Sequence, residues 1–236
     1  MAWLMEKNWH FFEPNFEITE NPDNTKLINA TGISSFLPWR FGGKPIVARQ
    51  SKAHKGKLSD MILVDGSVAV HQRFRDLVEE LEPGIHAFAP IILERKNGDR
   101  IGEDYFLFSA QQDIDCLITD NNPENFEFLW ENDTGVKQIL CKLTQPGHEV
   151  PISKPPIAGK HLWTAGLLGL NQMFVSVEFA DAARENLRGL RRFERRCTAI
   201  DRPWIAEEQM GPLLSRHNAY VTSGRSEVNY TLGEIW

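Results

Sequence analysis

The chain has 236 residues, 42% of them hydrophobic and 10% aromatic, which supplies a sizeable buried core and excludes disorder as the main description. Its 32 acidic and 26 basic side chains leave a formal charge of -6, which argues against a general nucleic-acid binder held by phosphate contacts. The longest apolar run, Trp163 to Leu170, is interrupted by Gly166 and Gly169 and is too short to span a bilayer.

The opening MAWLMEKNWHFFEP lacks the basic-then-apolar order of a signal peptide, and the three cysteines, Cys116, Cys141 and Cys197, form no CxxC. Together these features predict a soluble, reduced, cytoplasmic protein. Residues 1–57 are rich in turn formers, with NPDN at 21–24 and Pro38, Gly42, Gly43 and Pro45 behind it, so short strands and loops are expected. Six basic residues and no acid lie between Arg40 and Lys57, which reads as a solvated loop or a basic arm.

Met61 to Val64 is expected to be a strand closed by Asp65-Gly66. After it, Ser67 as N-cap and Val70, Phe74, Leu77, Val78 and Leu81 at helical spacing predict a helix that stops at Pro83-Gly84. Ile85–Glu94 and Tyr105–Ser109 flank Lys96-Asn97-Gly98-Asp99, and Asn-Gly predicts an antiparallel hairpin there. Phe126–Trp130 and Val136–Leu143 around Asn132-Asp133-Thr134-Gly135 predict a second one.

Four prolines fall among the 12 residues Gln145 to Pro156, which rules out a helix or a central strand and marks a boundary between halves. Beyond it come an expected strand, Gln172–Val177, a short helix, Glu178–Asn186, with Phe179, Ala182 and Ala183 inward, and a strand, Gly189–Thr198. The expected architecture is α+β, antiparallel sheets with a few helices packed on one face, in two closely packed halves. It divides into a strand-and-loop region at 1–57, a helix-plus-hairpin half at 58–144 and a smaller α+β half at 157–236, or forms one continuous domain.

The seven histidines never occur as HxH or HxxxH, and GxGxxG, GxxxxGK[ST] and GxSxG are all missing, so no metal, cofactor or catalytic residue is expected. His161 beside Trp163 reads as a hydrogen-bonded, half-buried histidine on an aromatic, with a cleft as the alternative. Charge is segregated along the chain. Asp99 to Asp133 holds ten acids against Arg100 alone, whereas residues 184–202 hold seven arginines against three acids.

The order of segments resembles a family. Asp60 to Glu79, Ile85 to Leu93, Asp104-Tyr-Phe-Leu-Phe, Asp113-Ile-Asp-Cys, Lys160-His-Leu-Trp, Met173 to Ala182 and Leu187-Arg-Gly-Leu-Arg-Arg-Phe are similar to the blocks of immunity protein family eleven of bacterial polymorphic toxin systems. The likeness covers residues 58–195, while the first 57 and last 40 residues match no pattern of it. It implies stoichiometric inhibition of a cognate toxin that is delivered between competing bacteria, as by type VI secretion, with no catalytic residue, nucleic acid or membrane involved.

If that toxin is a nuclease with a basic cleft, Asp113, Asp115, Asp120 and Glu124 are the candidate partner-binding residues, imitating a phosphate backbone. Two other readings stay open. One is a small enzyme with a cleft near His161, the other a regulatory module that uses the Arg40–Lys57 arm.

Overall fold

The computed structural model describes residues 2–5, 16–20, 46–52, 54, 56–65, 67–120, 126–131, 138–143, 150–165, 173–189, 195–205 and 208–209. A first strand, β1 (Ala2–Met5), is followed by β2 (Phe16–Glu20), β3 (Ile46–Gln50), β4 (Met61–Val64), β5 (Ser67–His71), β6 (Ala87–Glu94) and β7 (Tyr105–Ser109). The last six close into a barrel in the order β2-β3-β6-β7-β5-β4. Strand alternation divides their side chains: Ile62, Val64, Ala69, Leu93, Tyr105 and Leu107 fill the barrel, while Met61, Val70 and Phe108 face outward into a second core.

β4 is the strand expected from Met61–Val64, but the helix does not begin at Ser67. Ser67, Val68, Ala69 and Val70 pair antiparallel with Val64, Leu63, Ile62 and Met61, and Asp65 adopts φ 45 in the turn between them. Asp-Gly is the dipeptide that a two-residue hairpin turn favours, and Val68 and Val70 suit a strand. The helix α1 (Gln72–Leu81) starts one element later, capped by His71, whose Nδ1 accepts the Arg73 N–H at 3.1 Å. Asp65 also seals the barrel where β2 and β4 share the single pair Phe16↔Val64. Its N–H donates to the Phe16 carbonyl at 3.0 Å and its carboxylate accepts the Ile18 N–H at 2.8 Å.

The expected β6–β7 hairpin is present, turning at Gly98 with φ 90. The second hairpin is present too, as the antiparallel pair β8 (Phe126–Glu131) and β9 (Gln138–Leu143). Past the prolines lie β10 (Val150–Ser153), a 3-10 turn at Pro155–Ile157, β11 (Leu162–Trp163), β12 (Met173–Ser176), α2 (Val177–Asn186) and β13 (Arg195–Ile200). The strands form an open sheet in the order β10-β13-β1-β12-β11. β10 carries Pro151 and lies at an edge of the sheet, parallel to β13, where a missing N–H is tolerated.

The sheets interleave the three segments read from the sequence. β1 sits between β12 and β13 in the open sheet, while β2 and β3 belong to the barrel. Met5, Met173 and Val175 on one face of the open sheet share a core with Phe74, Leu77 and Val78 of α1, Phe179, Ala180 and Ala183 of α2, and the outer barrel residues. Both helices thus occupy the seam between barrel and sheet. The α+β class stands, but the strands form a closed barrel and a mixed sheet, with parallel pairs β3–β6 and β10–β13. Ser176 caps α2 by accepting the Phe179 N–H at 3.0 Å. No helix among the described residues is long and apolar enough to cross a membrane.

Candidate functional site

Residues 112–118 strap the open sheet, bonding to Thr164 after β11 at one edge and to β10 at the other. Ile114 N–H donates to the Thr164 carbonyl at 2.7 Å and Thr164 N–H to the Gln112 carbonyl at 2.9 Å. At the far edge Ser153 N–H donates to the Cys116 carbonyl at 2.6 Å and Ile118 N–H to the Pro151 carbonyl at 3.0 Å. Cys116 and Leu117 are buried in the core beneath, beside Ala2, Leu4, Phe174 and Trp163.

This strap places the sequence-predicted acids in different surroundings. Asp113 is exposed, with the Thr164 hydroxyl 3.4 Å from its Oδ1, and Asp115 is half-buried. Asp120 is held by a two-pronged ion pair with Arg202, at 3.1 and 2.6 Å, the fork geometry that arginine offers a carboxylate. Glu124 lies outside the described residues. Three of the four carboxylates therefore do not form a uniform exposed row, and the charge of Asp120 is balanced within the chain.

His161 also sits in a bonded corner. Its Nδ1 lies 3.0 Å from the Ser176 hydroxyl, the same group that caps α2, and 3.7 Å from a Glu178 carboxylate oxygen. Trp163 is buried and stacks on Phe174, with centroids 5.6 Å apart. The backbone N–H groups of His161 and Leu162 both donate to Glu82, at 2.8 and 3.0 Å. Gln112 Nε2 donates to Glu82 at 2.8 Å, and His86 Nε2 lies 2.7 Å from it. The Gln111 N–H donates to His86 Nδ1 at 3.3 Å, which leaves the ring proton on Nε2, facing Glu82. Burial pushes the Glu82 carboxyl up, but the bonds from His86, His161 and Gln112 outweigh it and bring the group from 4.5 to about 2.

A second charged cluster joins the barrel to the end of α2. Asp60 is fully buried. Arg73 Nε donates to it at 3.0 Å, the Arg188 N–H at 2.8 Å and Arg188 Nε at 3.4 Å. Arg188 Nη2 reaches on to Glu103 at 2.7 Å. Burial raises the Asp60 carboxyl and the two arginines more than reverse that, leaving it below its ordinary value. His71, 3.8 Å from both Asp60 and Glu103, is held below its ordinary value by burial and by Arg73.

Neither Glu82 nor Asp60 stood out in the sequence. A single acid at the end of a helix or before a strand looks like any solvated turn residue, and their partners lie up to 128 positions away. Both sites use ionisable groups to tie segments together. Cys116 is the same kind of case: burial raises its thiol to about 12, which keeps it protonated and unreactive. Among the described residues no three His, Cys, Asp or Glu side chains are grouped to hold a metal ion.

The chain matches the model of the immunity protein family (Imm11) over residues 4–196. No curated protein matches it. The matched span reaches well into the first 57 residues, which the resemblance read from the motifs had left out, and it takes in β1 in the open sheet as well as β2 and β3 in the barrel. The chain belongs to this family.

Proposed function

We propose that this member of the immunity protein family neutralises a cognate toxin by binding it stoichiometrically, without turnover. The observation that carries the reading is the family match over most of the chain. The geometry supports it: Asp60, Glu82 and His86 are spent on buried structural bonds, and His161 shares its partner with the cap of α2. A binding protein works through its surface, and such tightly bonded groups make that surface rigid before the partner arrives.

Within the proposal, Asp113 is, among the described residues of the predicted set, the carboxylate that the fold leaves exposed, and it offers an electrostatic contact to a basic toxin surface. Asp115, Asp120 and Glu124 complete the proposed acidic contact, Asp120 with its charge already shared with Arg202. Delivery of the toxin by a type VI or other contact-dependent system, and action of this protein in the cytoplasm, are parts of the same reading.

The test is co-expression with the toxin encoded by the adjacent reading frame. The toxin alone is expected to kill, the pair to grow, and the purified pair to elute as a one-to-one complex by light scattering. Growth without a complex, or no rescue, overturns the proposal.

A further inference from the structure

The arginines of α1 and α2 differ in what they hold. Arg73 is bound to Asp60, Arg184 to Asp181 while also lying over the Trp3 ring at 4.6 Å, and Arg188, just past α2, to Asp60 and Glu103. Arg75 of α1 instead lies over two rings, with its guanidinium carbon 4.7 Å from the Phe106 centroid and 5.5 Å from that of Phe88. Among the described residues no carboxylate lies within ion-pairing distance of it. The neighbouring acids of the helix are engaged elsewhere. Asp76 accepts from Gln72 Nε2 at 2.6 Å, and Glu79, at the i+4 position where a partner for Arg75 would sit, accepts the Gly84 N–H at 3.0 Å.

The rings under Arg75 are partly exposed and rigidly supported. Phe88, Pro90 and Ile92 of β6 share the outer face of the barrel with Phe106 of β7, Pro90 being exposed and paired directly with Phe106. Phe88 rests against Phe108 at 5.3 Å, and Phe108 against the buried Phe74 at 5.4 Å. The surface therefore presents an immobilised cation on an apolar floor anchored in the core. A planar guanidinium stacked on aromatics keeps its N–H fork available for a carboxylate, and an arginine-aromatic group of this kind is typical of the residues that dominate binding energy.

We propose that Arg75, with the floor formed by Phe88, Pro90 and Phe106, is the anchor for a segment of the cognate toxin that presents a carboxylate beside an apolar side chain. The inference rests on the toxin-binding reading above and adds the surface and the chemistry of the partner. Charge complementarity selects that occupant: among the described residues the cation here lacks the acid that Arg73, Arg184 and Arg188 have, and an incoming carboxylate supplies it.

Titration calorimetry of the purified protein with its toxin, using a catalytically inactivated toxin, tests this. Arg75→Glu is expected to weaken binding by at least about ten-fold, with Arg75→Lys falling between it and the wild type, while the melting temperature of Arg75→Lys stays unchanged. Unaltered affinity in both variants overturns the anchor and leaves the immunity reading standing. Wild-type protein that binds no toxin overturns both. A wild-type dimer that Arg75→Glu dissociates assigns the surface to a second copy of the chain and also overturns the proposal.

Discussion

The barrel and the open sheet solve the problem of sheet edges in different ways. In the barrel, Phe16 to Ser109 supply six strands, and pairing runs all the way round, with Asp65 sealing the one thin seam. Closure removes the edges, and Ile62, Val64, Ala69, Leu93, Tyr105 and Leu107 pack together inside. The open sheet draws its strands from residues 2–5 and 150–200, keeps two edges, and is held by the 112–118 strap and by the buried Glu82. The comparison teaches that the sheet assembled from distant parts of the chain needs fastening at its edges, by Glu82 and the strap, whereas the barrel closes by strand pairing with a polar seal at its one thin seam.

Breaking the clip between the two units should have the largest effect. Asp60→Ala removes the partner of both Arg73 and Arg188 and is expected to cost about 3 kcal/mol, near the lower end for a buried pair because both arginines are partly exposed. In hydrogen exchange β12 and α2 should then open before β6 and β7. Equal loss of protection in the two units would erase the distinction drawn here.

Glu82→Gln tests the clip that holds residues 161 and 162 to the end of α1. It should cost about 2 kcal/mol, since one buried and one part-buried backbone N–H lose a charged acceptor. The pH dependence follows from the sign of the shift. The Glu82 carboxyl is lowered from 4.5 to about 2, so its contribution is fully present above the ordinary range and is lost as pH falls through that window. Urea unfolding of the wild type should weaken steadily over that interval, and Glu82→Gln should flatten part of the slope.

The smallest effect sharpens the picture at one backbone position. Gly189, with φ +80, sits where an added Cβ would lie 2.2 Å from the Ser59 hydroxyl oxygen. Gly189→Ala should cost about 1 to 2 kcal/mol by thermal unfolding, and, measured against Ser59→Gly alone, adding Ser59→Gly should recover only the share due to the collision with the Ser59 side chain, whose Oγ and Cβ lie 2.2 and 2.7 Å from the added Cβ. Full recovery would show that the positive φ itself carries no strain.

Much of the local structure was legible. Asn97-Gly98 between apolar runs announced the β6–β7 hairpin, and Phe179 and Ala183 turned inward as expected, although Ala180 is the third buried residue of α2 and Ala182 is only half-buried; the proline-bearing stretch, read as a boundary, instead holds the edge strand Val150–Ser153. The error at Ser67 is equally informative. Val70 fits the helical stripe of Phe74, Leu77 and Val78 as well as it fits a strand, and only pairing with Met61 across the hairpin decided between them. The acidic segment was visible as composition, but Asp120 met Arg202, 82 positions away, and a one-dimensional charge count carries no such pairing. His161, read as bonded and half-buried, has that setting, although its link to the cap of α2 through Ser176 had no signal in the sequence.

By itself the sequence determined the strands with clear alternation, the turns that carry Asn-Gly and the stop at Pro83-Gly84, because these depend on dihedral preferences and side-chain periods acting over a few residues. The tertiary structure alone decided that six strands close on themselves, that β1 enters between β12 and β13, and that Asp60 and Glu82 become buried ties. Those outcomes depend on which distant surfaces can be buried together with every polar group satisfied, a condition met only when the whole chain has folded.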